Sequence, residues 1–324
     1  MKKIKTNSRV SLLGGSIIAL TSFGLAERAH AVEGATGFYI LGSRTSLGGI
    51  VAPPGTYTQQ SFYYYEGSNG AEIVRNGKLE LGVDAKALLG LASLLWVPTT
   101  DPIMGGRPYL SLTLPYGYKD VSADGTLTVP GGPVFRAERG DDSFTFGDPV
   151  VGGGIGWGQG PVFGSLNFLV NVPIGDYSDT RSSNIAFNRW AYDVTGAVTW
   201  MNPETGWQAN FATGVTFNGE NDDTDYDSGN ELHVEASVGK AINEKVTLSL
   251  QGYYYKQITG DSGDGALLGD FEGEVSALGP AIAWNSDWNG TPVSFEARWF
   301  HEFEAKNRLE GDAVLFNITI PLGG

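Results

Sequence analysis

The sequence has no cysteine, only three histidines, and no apolar run long enough to cross a bilayer as a helix. Each absence closes a route. Without cysteine an exported domain has no disulfides, so backbone hydrogen bonding and burial must hold it alone. Without a run approaching roughly 20 apolar residues, insertion into a membrane has to use strands. Only His233 and His301 lie beyond residue 31, in different segments, so a zinc or other transition-metal site has little to be built from and no cofactor is expected. Basic residues are also scarce: 21 Lys and Arg stand against 36 Asp and Glu, for a formal net charge of −15. Such a chain is ill suited to nucleic acid, whose phosphates are held by clustered Lys and Arg.

What is present begins with residues 1–31, which read as an export signal. Lys2, Lys3, Lys5 and Arg9 form a basic start, Ser11 to Leu25 is mostly apolar and small, and Ala29-His30-Ala31 offers a cleavage site before Val32. Removing it takes away those four cations and Arg28 against Glu27 alone, so the exported chain is more acidic still.

From Tyr57 onward, twelve segments alternate with a period of two: 57–66, 79–97, 107–119, 145–158, 162–175, 188–201, 206–218, 230–241, 245–258, 272–286, 291–304 and 310–322. In the fifth, Val162, Leu166, Phe168, Val170, Val172 and Ile174 share one face, while Ser165, Asn167 and Asn171 take the other. The eighth sets Leu232, Val234, Ala236 and Val238 against Glu231, His233, Glu235 and Ser237. Most segments exceed the roughly 9 to 11 residues that a tilted strand needs to cross hydrocarbon. Aromatic clusters such as Tyr63-Tyr64-Tyr65 and Tyr253-Tyr254-Tyr255 crowd segment ends, as interfacial girdles do.

The connections alternate as well. Those at 158–161, 202–205, 241–244 and 287–290 are brief, whereas 120–144, 176–187, 219–229 and 259–271 are long and rich in Asp, Gly, Ser and Asn. Short turns on one side and long loops on the other are the habit of outer-membrane barrels. An open sheet in lipid would leave edge N–H and C=O groups unpaired at several kcal/mol each, so closure is required. The expected fold is therefore all-β: a closed antiparallel transmembrane barrel of about 12 strands over residues 57–324. Its backbone radius is on the order of 12 Å, too wide for side chains to fill. Residues 32–56, Gly-rich and ending in Pro53-Pro54-Gly55, are too broken for a spanning strand and are expected either to fold into the lumen as a plug or to form a tail.

Several ordered stretches resemble the outer-membrane family labelled "putative meta-pathway of phenol degradation". They are Pro53-Pro54-Gly55 with Tyr57 and Tyr63 to Tyr65, Val172-Pro173 with Gly175 and Tyr177, Asn188 with Trp190, Asn202-Pro203 with Thr205-Gly206, and Glu220-Asn221 with Thr224-Asp225-Tyr226 and Ser228-Gly229. The resemblance implies an outer-membrane protein that helps take up aromatic or other hydrophobic compounds, and it brings no catalytic residues.

The residues themselves offer a set on the lumen side of neighbouring strands: Arg189, Asp193, Glu231, His233, Glu235, Glu296, Arg298 and Glu302. Such groups either form a charged selectivity ring or pair with one another to stiffen the wall. Asp222, Asp223, Asp225 and Asp227 invite a calcium reading, but Val234 occupies the place where an EF-hand needs a bidentate Glu, which favours a solvated acidic loop. His233 could serve a hydrolase, yet no G-x-S-x-G nucleophile motif accompanies it, so no enzyme is expected. The expected function is passive passage of small molecules. A structural or adhesive surface barrel and a lipid-acting enzyme are the alternatives. Outer-membrane lipid and lipopolysaccharide, a small solute and the barrel-assembly machinery are the expected partners.

Overall fold

The computed structural model describes residues 37–74, 78–128, 134–266 and 272–323. The export signal expected over residues 1–31 lies outside them. The strands in chain order are β1 (Gly55–Val74), β2 (Lys78–Val97), β3 (Arg107–Thr128), β4 (Val134–Phe146), β5 (Val150–Gln159), β6 (Val162–Asn171), β7 (Ala191–Met201) and β8 (Trp207–Asn218). After a small outer hairpin of β9 (Glu220–Asn221) and β10 (Tyr226–Asp227) come β11 (Glu231–Ala241), β12 (Val246–Gln257), β13 (Glu274–Trp288), β14 (Thr291–Lys306) and β15 (Glu310–Gly323).

Each long strand pairs antiparallel with its neighbours, and β1 pairs with β15 from Thr56↔Gly323 to Ser68↔Glu310, which closes the sheet. β4 and β5 lie end to end along β3, so together they fill one place in a wall twelve strands around. Closure gives every wall strand a partner on both sides across the hydrocarbon, which is what lipid demands of a backbone.

The alternation fixes which face meets which solvent. On β7, Tyr192, Val194, Val198 and Trp200 are exposed on the outside, while Asp193, Thr195 and Thr199 are buried inside. On β6 the outward Val162, Leu166 and Phe168 oppose the buried Ser165, Asn167 and Asn171. The same rule splits the tyrosine clusters: Tyr64 faces outward, but Tyr63 and Tyr65 line the interior, as do Tyr253 and Tyr255. The girdle reading therefore holds for one tyrosine of the first cluster, because neighbours on a strand cannot share a face.

Two expectations are corrected. Residues 120–144 are not a loop for most of their length: β3 runs on to Thr128 and returns as β4, paired from Tyr116↔Phe146 to Thr128↔Val134. The Asp and Gly residues that suggested a loop are tolerated because β2 supplies β3 with a ladder on its other side. The segment at 145–158 is not continuous either. It breaks at Gly147-Asp148-Pro149, where the buried Asp148 carboxylate accepts hydrogen bonds from Asn171 Nδ2 (3.0 Å) and from the backbone N–H groups of Gly175 (2.8 Å), Phe187 (2.7 Å) and Asn188 (3.0 Å). Pro149, lacking an N–H, suits such a break.

Candidate functional site

The interior is chemically divided. Across β6, β7, β8 and β11 most inward positions are polar, and many of them are hydrogen-bonded to one another. Asp193 accepts from Thr195 Oγ1 (2.5 Å) and Thr216 Oγ1 (2.8 Å) and lies 2.8 Å from His233 Nε2. Thr199 Oγ1 donates to Asn210 Oδ1 (2.7 Å), and Asn210 Nδ2 donates to Ser237 Oγ (3.0 Å). Buried polar groups are tolerable only when they are paired in this way.

Residues 37–52 run inside the barrel against this polar half. The segment has no ladder of its own, so side chains of the wall satisfy its backbone. Glu235 accepts from Gly42 N (2.9 Å) and Arg44 N (2.7 Å), Asn210 from Leu47 N (3.0 Å) and Thr199 from Gly49 N (3.1 Å). From the wall, Arg298 Nη1 donates to Gly42 O (2.8 Å), and Ser165 Oγ to Gly48 O (2.7 Å). Two glycines permit the contact. A Cβ on Gly49 would fall 2.6 Å from Thr199 N and 2.7 Å from Phe163 O, and one on Gly156 would fall 2.4 Å from Val51 Cγ2. The glycine-rich stretch of β5 thus serves close approach of a second chain segment.

Opposite, part of the wall is apolar on its inner face as well, above a polar stretch that includes Gln59, Ser61, Ser93, Ser111 and Thr113. β2 contributes Val83, Ala85, Ala87, Leu89 and Leu91 inward while Leu88, Leu94 and Trp96 face out. With Tyr63 and Tyr65 of β1 and Val121 of β3, this arc borders a cavity of 1130 Å³ that the inner segment bounds on the other side. The signal was present in the sequence. Leu88 to Val97 is nearly unbroken in apolar residues, and a barrel strand apolar at both alternating sets of positions has no watery side.

The eight residues expected on the lumen side all sit there, but their partners differ. Asp193 and His233 pair with each other, Glu235 and Arg298 hold the inner segment, and Arg298 Nη2 also meets Glu296 at 2.5 Å. Glu302 accepts from Tyr65 OH and Tyr253 OH (2.8 Å each), and Glu231 from Asn218 Nδ2 (2.8 Å). Arg189 lies with its charge over the Phe187 ring, 5.3 Å from the centroid. A serine-protease-like arrangement would need its acid and hydroxyl on opposite imidazole nitrogens. Here Asp193 and Thr195 both approach His233 Nε2, and no triad is built.

The loop aspartates are not gathered. Asp223 accepts from Asn188 Nδ2 (2.9 Å), Asp225 lies in the turn between β9 and β10, and Asp227 bridges to Ser262. Among the described residues no three His, Asp or Glu side chains are arranged to hold a metal ion.

The barrel is similar to the COG4313 outer membrane channel from Pseudomonas putida F1, at 12% identity and a TM-score of 0.64 over 87% of this chain and 99% of that one. It is more remotely similar to the CymD monoaromatic hydrocarbon channel, at 9% identity and a TM-score of 0.42 over 91% and 98% of the two chains. A Pseudomonas aeruginosa FadL homologue stands further off, at 9% identity and a TM-score of 0.37 over 82% and 90%. At these identities the likeness is one of fold, and only the first is near enough to carry weight. Among curated proteins none matches the chain. A closed barrel with a lipid-facing apolar surface and a polar, partly filled interior is an outer-membrane architecture. The family model described as "Putative MetA-pathway of phenol degradation" matches residues 65–318, nearly the whole of the barrel, and the chain belongs to that family.

Proposed function

We propose that this protein is a passive outer-membrane channel for small hydrophobic molecules, aromatic ones among them, which pass between the inner segment and the apolar arc of β1–β3. The observation that carries this reading is the 1130 Å³ cavity walled on one side by Tyr63, Tyr65, Ala87 and Leu89. A pore for hydrophilic solutes would not be expected to present an inward run such as Val83, Ala85, Ala87, Leu89 and Leu91 of β2 to its lumen. The resemblance of the fold to a solved outer membrane channel and the family's link to phenol degradation support the same conclusion.

In this reading residues 37–52 are a plug that narrows the lumen, with Glu235 and Arg298 as its main anchors. Residues 1–31 direct export and are removed, which N-terminal sequencing of membrane-purified protein would register as a start at Val32.

Initial uptake of labelled toluene tests the function in Gram-negative cells with and without the expressed protein, because lipopolysaccharide slows hydrophobic solutes. Several-fold faster uptake is expected with the protein present. Equal rates at verified surface levels would refute it.

A further inference from the structure

The cavity carries a charge that the chain as a whole does not suggest. The protein is net −15, yet around the cavity cations outnumber carboxylates. Of the five carboxylates around it, four have donors, Asp179 being the exception among the described residues. Asp148 accepts from three backbone amides and Asn171, Glu302 from two tyrosines and Gly311 N, Glu231 from Asn218, and Glu296 pairs with Arg298.

Among the described residues three of the cations make no ion pair. Lys119, on the inner face of β3, donates to the carbonyl of Asn184 (3.2 Å), and among the described residues no carboxylate lies within ion-pair distance of it. The pairing register sets it level with Ala87 on β2 and Tyr65 on β1, in the middle of the apolar arc. Arg308 turns inward from the β14–β15 connection and lies over the Tyr255 ring, 4.4 Å from its centroid, likewise without an ion pair. Arg44, on the inner segment, donates to Tyr109 OH (3.3 Å) near the periplasmic start of β3. An ammonium group beside apolar wall is costly unless an anion or water meets it.

From this arrangement we propose that the cavity binds amphipathic monoanions, small molecules bearing one carboxylate on an aromatic or alkyl body. The body lies against Tyr63, Tyr65 and Leu89, and Lys119 meets the carboxylate. The separation of Lys119 and Arg308 near the outer end from Arg44 near the inner end gives successive stations for a single charge. A clustered set of arginines, the usual receptor for a phosphate, is not what is present. A cavity of this volume lies just above the roughly 300–1,000 Å³ usual for small-molecule sites, so a one-ring acid fits together with water. The inference rests on the hydrophobic-channel reading and narrows its solute.

Calorimetric titration of the purified barrel in detergent with 4-propylbenzoate and with the neutral 4-propylbenzyl alcohol separates the two claims. The acid is expected to bind about ten-fold more tightly, as a charge-assisted contact warrants. Lys119→Met should abolish that preference and Lys119→Arg should keep it, with the alcohol's affinity unchanged in both. Equal wild-type affinities for acid and alcohol overturn the anion proposal and leave the hydrophobic channel standing. Absence of binding by either compound overturns both. Heat-modifiable migration reports folding of each variant, and the wild-type comparison decides the matter even if Lys119→Met does not fold.

Discussion

Tyr39 lies flat over His233, with ring centroids 3.7 Å apart and planes inclined by 18°, so the inner segment is stacked directly on the buried imidazole that pairs with Asp193. One aromatic contact thereby joins residues far apart in the chain. Replacing the buried Tyr39 by Ala should cost about 3–5 kcal/mol, the usual loss for a buried aromatic, of which the ring pair is about 1 kcal/mol. The expected signs are a lowered melting temperature and a larger single-channel conductance as the segment loosens. An unchanged conductance would mean that the stack is incidental to the plug.

Glu235 is the strongest single anchor, because one carboxylate accepts from two backbone amides of the inner segment. Glu235→Ala leaves those amides without partners, at about 1–3 kcal/mol for each. Trypsin cleavage after Arg44 should become several-fold faster in the folded variant, and Glu235→Gln should fall between it and the wild type.

Gly49 makes a different prediction, since its neighbours across the gap are backbone atoms that cannot move aside. Gly49→Val should prevent the segment from seating on β6 and β7 while the barrel itself stays intact. Heat-modifiable migration should be normal and cleavage after Arg44 rapid. Normal protection at Arg44 would count against the docking geometry.

Asp148→Asn removes a charge that gathers three amides and a side-chain amide at the break between β4 and β5. A loss of about 2–4 kcal/mol is expected, by the rule for hydrogen bonds to charged acceptors. Hydrogen exchange at Phe187 and Asn188 should speed up, with the β7–β8 ladder unaffected.

Ala87→Trp would place a large ring within the apolar arc without disturbing the polar half. If solutes travel along that arc, toluene uptake should fall several-fold at an unchanged amount of folded protein. Undiminished uptake would move the path elsewhere in the lumen.

The wall was legible because lipid and interior impose opposite demands on alternate residues, and β6, β7, β8 and β11 obey them at most positions, with small or apolar exceptions inward such as Leu169, Ala197 and Ala212. The projecting part of the β3–β4 hairpin was not, because above the membrane neither face meets oil and the alternation fades into Asp, Ser and Gly. The break at Asp148 escaped notice because Gly147 and Pro149 can equally stand at a strand end. For the interior, residue types were readable but partners were not. Glu235 and Glu302 look alike along their strands, yet one holds the segment's amides and the other two phenols, and only the closed wall decides which. Lys119 closes the third expected segment, but Ser111 and Thr113 share its inner face, so one more polar residue there did not stand out.

The β1–β2 and β3–β4 hairpins outrun their neighbours: β1 stops pairing with β15 at Ser68 but continues along β2 to Val74, and among the described residues β4 pairs with β3 alone. The outer stretch of β4 is consequently a bare selvedge in water, with amides and carbonyls open to any other extended chain. In a crowded membrane surface this would invite copies to knit together. Arg136, Glu138, Arg139 and Asp142 stud that border with charges of both signs, the means by which free strands are kept from adhering to one another.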